Sequence, residues 1–129
     1  MEYLELVGAL AVLQFVFFGF LTGQARKRSG LKAPAVTGDV GFECIYRVQM
    51  NTLETLVAFL PGLFIAGQYW SPVWVACIGV IYLVGRLIYW RAYMNNPDTR
   101  AFGFILSLSP TLVLVILAVI GPFVHIIHS

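Results

Sequence analysis

Charge is scarce in this chain. Only 11% of its 129 residues are Asp, Glu, Lys or Arg against 60% hydrophobic, and a mean hydropathy of +0.86 excludes an ordinary soluble domain. The net charge of +2 is too small for a nucleic-acid-binding surface, so no nucleic acid is expected as a partner. Cysteine is scarcer still: Cys44 and Cys77 are too few for a disulfide framework, and the topology below sets them near opposite membrane faces. No CxxC pair, phosphate loop or Ser-His-Asp order supports redox-cluster, nucleotide or hydrolase chemistry. His125 and His128 lack a third ligand, so they are expected at a polar helix end and no metal site is expected.

Long apolar stretches are what the chain has in quantity. Four of them, over residues 4–23, 43–69, 72–94 and 97–127, each approach the roughly 20 residues that a spanning helix needs. The expected fold is an all-α integral membrane protein, a four-helix transmembrane bundle forming a single membrane domain over 1–129. Acidic Glu2 and Glu5 stand where a secretory signal would carry positive charge, so the first stretch reads as a retained span. The last stretch is long enough to project beyond the hydrocarbon, or to end irregularly near Gly121-Pro122.

The basic residues fix an orientation. Arg26, Lys27, Arg28 and Lys32 fall in the connection over 24–42, whereas the turn around Ser71 is uncharged, which places the first connection in the cytoplasm and both termini on the other side. The third connection then shares the cytoplasmic face. There Asn96 is suited to cap a helix, Pro97 to open it and Asp98 to complement its dipole, so Arg100 is expected in the first turn of the last helix. Tyr69, Trp70 and Trp74 at one end, and Tyr89, Trp90 and Tyr93 at the other, read as interfacial aromatic belts.

Against this apolar background the few polar residues inside the spans stand out. Burying one ionised side chain near the bilayer centre costs about 2.5–3.5 kcal/mol, so such residues mark a site, a relay or a paired interior. In the second span Arg47, Asn51 and Glu54 follow an i, i+4, i+7 spacing and share a face, while Gln49 projects elsewhere. In the third span Arg86, Tyr89 and Tyr93 share a face, and Arg86 falls in depth between Arg47 and Glu54. A polar face of the second helix is therefore expected to meet one of the third. One reading makes Glu54 and Arg86 a buried ion pair with Asn51 and Gln49 as hydrogen-bond partners. The other starts from the surplus of cations: Arg47, Arg86 and Arg100, with Arg26 nearby, leave a net positive cavity that a small anion or a carboxylate-rich zwitterion would complete.

The run Phe42-Glu43-Cys44-Ile45-Tyr46-Arg47-Val48-Gln49-Met50-Asn51-Thr52-Leu53-Glu54, with Arg86-Leu87-Ile88-Tyr89-Trp90-Arg91-Ala92-Tyr93 and then Arg100, resembles the signature of the MAPEG family, the membrane-associated proteins in eicosanoid and glutathione metabolism. The resemblance covers nearly the whole chain. It implies a homotrimer of four-helix subunits that binds glutathione, as co-substrate, between adjacent protomers near the cytoplasmic side. It also implies that Arg26, Arg47, Gln49, Asn51, Glu54, Arg86, Tyr89 and Tyr93 bind glutathione and that Arg100 stabilises its thiolate; in the mechanism expected here Arg100 and Tyr93 are the catalytic residues, Tyr93 as a second donor. The chain departs from the family pattern at Cys44, where an arginine is usual; a neutral thiol cannot make that charged contact.

The function so implied is a membrane glutathione transferase that joins the thiolate to a lipophilic electrophile from the bilayer, with reduction of lipid hydroperoxides as a further activity. The alternative is a non-catalytic, lipid-binding accessory protein of the same fold. A small proton-coupled exporter built on Glu54 fits less well, because neighbouring arginines would hold that carboxylate ionised. The expected location is a bacterial inner membrane, otherwise the endoplasmic reticulum, with membrane lipid around the bundle and the site facing the cytoplasm.

Overall fold

In a computed structural model describing residues 1–129, four long helices account for most of the chain: α1 (Glu2–Ser29), α2 (Val40–Tyr69), α3 (Pro72–Asn95) and α4 (Ala101–Ile127). All four are long and apolar enough to cross a membrane, the last together with the short 3-10 turn Pro97–Thr99 that precedes it. The four-helix membrane bundle expected from the apolar stretches is what forms.

The helix ends follow from local chemistry. α1 runs further than the apolar pattern indicates, because Gln24, Ala25, Arg26, Lys27 and Arg28 are good helix formers and the three cations complement the negative end of the dipole. Gly30, with φ at 77°, then closes the helix by donating its N–H to the Arg26 carbonyl at 3.1 Å. The first connection is thus shortened to residues 30–39. At its far end Asp39 caps α2 by accepting from the Phe42 N–H at 2.9 Å.

Asn96 caps as expected, accepting from the Asp98 N–H at 3.2 Å, but the chain first makes a 3-10 turn, so Arg100 stands at the N-cap position of α4. At the other end α4 does not stop at Gly121-Pro122. It continues to Ile127 for 27 residues, roughly 40 Å and longer than the hydrocarbon core. Each of its two internal prolines, Pro110 and Pro122, removes only one donor, and the helix runs through both; near the second, Trp70 at the end of α2 donates to the Leu117 carbonyl at 3.0 Å and ties the two helices together.

The main core lies toward the end that carries the chain termini, where Leu4, Val7 and Ala11 of α1 meet Phe59 and Leu63 of α2, Val75 and Tyr82 of α3, and Leu114 of α4. Phe59 and Tyr82 stack with ring centres 3.9 Å apart. A smaller cluster of Phe18, Ile45, Val48 and Tyr89 closes the end with the basic loop. Trp90 packs there on Phe17 and Phe18, so it serves as a core ring rather than as part of an aromatic belt.

Two glycines bring α3 and α4 together almost backbone to backbone. A Cβ on Gly85 would meet the Ser107 nitrogen at 2.6 Å, and one on Gly103 would strike the backbone of Tyr89. Small residues permit this approach in membrane bundles, where dispersion rather than water exclusion holds helices together. Its consequence is local: Ser107 is brought against Arg86, and the start of α4 against Tyr89.

Candidate functional site

Arg86 is fully buried, and its guanidinium is held by neutral oxygens alone. Nε and Nη2 both donate to Ser107 Oγ, at 3.0 and 2.7 Å; Nη1 donates to Asn51 Oδ1 at 2.7 Å and to Thr52 Oγ1 at 3.2 Å. The ring of Tyr89 covers one face, its centre 4.3 Å from the guanidinium carbon. Three helices therefore converge on one side chain.

The buried ion pair of Glu54 with Arg86 does not form. Thr52 and Glu54 are two residues apart on α2 and so point about 200° from each other around the axis. Thr52 faces inward to Arg86, and Glu54 is exposed on the opposite side. The depth ordering holds nonetheless, since Arg86 meets α2 at positions 51 and 52.

Beyond this buried strut the polar face opens into a cavity of about 430 Å³, lined by Asn51, Tyr89, Asp98, Arg100, Ala101 and Phe104. Tyr93 stands beside it: its ring meets Tyr89 edge to face at 5.5 Å, and the Arg100 guanidinium carbon lies 5.5 Å from its centre. Arg100 Nη1 donates to the Pro97 carbonyl at 2.8 Å, which ties the side chain to the turn that starts α4 and leaves its other N–H groups free. The cavity offers cationic donors, an amide, a phenol and one carboxylate. Its polar walls lie at the same end of the bundle as the basic loop.

Of the nine site residues named from the sequence, Asn51, Arg86, Tyr89, Tyr93 and Arg100 come together here. The other four do not. Arg47 and Glu54 flank Asn51 on α2 but are exposed, and neither lines the cavity. Gln49 turns toward α1, where a Cβ on Gly19 would stand 3.2 Å from its Nε2, as its separate helical phase requires. Arg26 is spent on the first loop, donating from Nη1 to the Ala35 carbonyl at 2.7 Å and lying 4.6 Å over the Phe42 ring.

Sequence reasoning missed Ser107 and Thr52, which hold Arg86 from behind the cavity, and Asp98, which lines it. A signal existed for two of them. Ser107 follows Arg100 by seven residues and shares its helix face, and Asp98 lies within one turn of Arg100. Thr52 carried none, since threonine inside a membrane helix commonly bonds back to its own backbone, as Thr52 does to the Val48 carbonyl at 2.7 Å.

Comparison with known proteins adds an independent line. The model of the MAPEG family matches residues 4–120. Microsomal glutathione S-transferase 2 of Mus musculus is 38% identical over 118 residues, covering 92% of this chain and 80% of that protein. Leukotriene C4 synthase of Bos taurus is 32% identical over 123 residues, covering 95% and 82%. An uncharacterized protein of Synechocystis sp. is 37% identical over 116 residues, covering 90% and 85%.

Proposed function

This chain belongs to the MAPEG family, and from that premise we propose that it is a membrane glutathione transferase that conjugates the glutathione thiolate to lipophilic electrophiles. The observation that carries the reading is that Arg100 lines a polar cavity with Asn51 and Tyr89 while Tyr93 stands beside it, its ring 5.5 Å from the Arg100 guanidinium carbon.

The chemistry follows from charge. A thiol with a pKa near 8.5 is mostly protonated at neutral pH, and a guanidinium beside the sulfur favours the anion. Arg100 supplies that guanidinium at the N-terminal end of α4, where the helix dipole adds to it. The Tyr93 hydroxyl is the second donor to sulfur. The thiol proton passes to solvent at the cavity mouth; the thiolate then attacks the electrophilic carbon, the carbon–sulfur bond forms, and the leaving group departs with its electron pair. Arg100 acts by lowering the cost of the anion, and Asn51 and Tyr89 act by holding the peptide in place.

A homotrimer completes the site in this reading. Arg47 and Glu54 are exposed on either side of Asn51, so a neighbouring subunit seated against that face of α2 would cover them together with the cavity. The ionisable pair would then be removed from lipid, where exposed charge is costly. By the positive-inside rule the basic loop and the cavity face the cytoplasm.

The test is turnover by the purified, detergent-solubilised protein with glutathione and either an aromatic halide or a lipid hydroperoxide. Conjugation of the halide is expected. Bound glutathione without turnover of either substrate would instead favour a lipid-binding accessory protein.

A further inference from the structure

Arginine can only donate hydrogen bonds, and this has a consequence for Asn51. Because Arg86 Nη1 donates to Asn51 at 2.7 Å, the atom facing Arg86 must be the amide oxygen. Oδ1 makes the one hydrogen bond of that side chain, so the amide nitrogen, on the other side of the planar group, is left with two N–H donors. Asn51 also lines the polar cavity.

What holds Arg86 in that pose is Ser107. Its hydroxyl donates to the Phe104 carbonyl at 3.0 Å, which leaves both oxygen lone pairs for Arg86 Nε and Nη2. The hydroxyl is saturated, and Gly85 allows α3 to approach closely enough to reach it. Tyr89 closes the remaining face of the guanidinium. Neither Ser107 nor Arg86 lines the cavity.

We propose that Ser107 and Arg86 are positioning residues that lock the Asn51 amide with its NH2 toward the cavity, making position 51 a donor-only point that recognises a carboxylate of the ligand. The inference rests on the glutathione reading for the identity of that ligand. It adds that selectivity at Asn51 is set from behind, by a serine on another helix.

Isothermal titration and steady-state kinetics on the full chain in detergent test it, with glutathione and its diethyl ester, which keeps the ammonium but has no carboxylate, as probes. Ser107→Ala is expected to weaken glutathione binding about fivefold with kcat within about twofold of wild type, and Ser107→Thr, which keeps the hydroxyl, to restore it. Asn51→Asp keeps a partner for Arg86 but turns an acceptor toward the cavity. It is expected to weaken glutathione by about tenfold or more and the diester by about threefold or less. Equal loss for both probes, or wild-type affinity in folded Ser107→Ala, would overturn the proposal. If Ser107→Ala does not fold, the probe ratio for Asn51→Asp decides alone. Absence of glutathione binding by the wild type would instead remove the transferase reading, and this inference with it.

Discussion

The guanidinium carbon of Arg100 lies 5.5 Å from the centre of the Tyr93 ring, one from the N-cap of α4 and the other from the last turns of α3. If both act on one sulfur, their removal should differ in size. Arg100→Ala takes away a full charge and is expected to lower kcat/KM by about 10²–10³-fold, on the scale of losing one preorganised donor to a developing anion. Tyr93→Phe keeps the ring beneath Arg100 and loses only a neutral hydroxyl, so a loss of about tenfold is expected. Conjugation kinetics at fixed pH compare the two.

Stability should separate Arg86 from Glu54. Arg86→Ala removes four hydrogen bonds, leaves Asn51 and Ser107 without their buried partner and opens a void. A destabilisation of about 3 kcal/mol or more is expected, read as a clear drop in Tm in detergent. Glu54→Gln changes an exposed side chain and should move stability by about 0.5 kcal/mol or less. Matched losses for the two variants would restore the ion pair that the structure separates.

Gly85 controls how closely α4 approaches. A Cβ there would stand 2.6 Å from the Ser107 nitrogen, a backbone atom that cannot swing aside. Gly85→Val should therefore force α3 and α4 apart and cost about 1–3 kcal/mol or more, with weakened glutathione binding as Ser107 leaves Arg86. Thermal unfolding together with titration checks both effects. A stable variant with unchanged affinity would show that the close approach has no role in the site.

Arg26 is placed in a structural role within the subunit by its bond to the Ala35 carbonyl and its position over Phe42. Arg26→Ala should cost about 1–2 kcal/mol from one charge-assisted hydrogen bond and a partly exposed cation–π contact. Arg26→Lys should recover little of this, because an ammonium lacks the planar fork. Limited proteolysis of the connection over 30–39 reads the loosening directly.

The helices were legible in the sequence because lipid imposes one strong requirement, a run of apolar residues long enough to satisfy its own backbone. Boundaries were less so: α1 continues through Arg26-Lys27-Arg28, since polar residues of high helix propensity carry a helix past the apolar run that reveals it. In the site, Asn51, Tyr89, Tyr93 and Arg100 could be grouped by spacing because each pair lies on one helix or beside a predicted turn. The partner of Arg86 could not. Opposite charge made Glu54 the natural choice, whereas the helical phase set by Val48, Thr52 and Thr55 turned the neutral oxygens inward and the carboxylate out. The role of Ser107 depended on Gly85 and Gly103 drawing two helices together, a contact between segments about 20 residues apart that no single-helix periodicity contains.

If Arg100 lowers the pKa of the glutathione thiol, ultraviolet titration of the thiolate in the glutathione-bound protein reads that shift without the intervening kinetics. With wild-type protein the thiolate should appear with a midpoint below the ordinary value of about 8.5, and with Arg100→Ala the midpoint should return toward that value. The sign is fixed by the guanidinium, which stabilises the anion and so lets it form at lower pH. The same midpoint in both proteins, with glutathione bound to each, would leave Arg100 without a part in forming the thiolate.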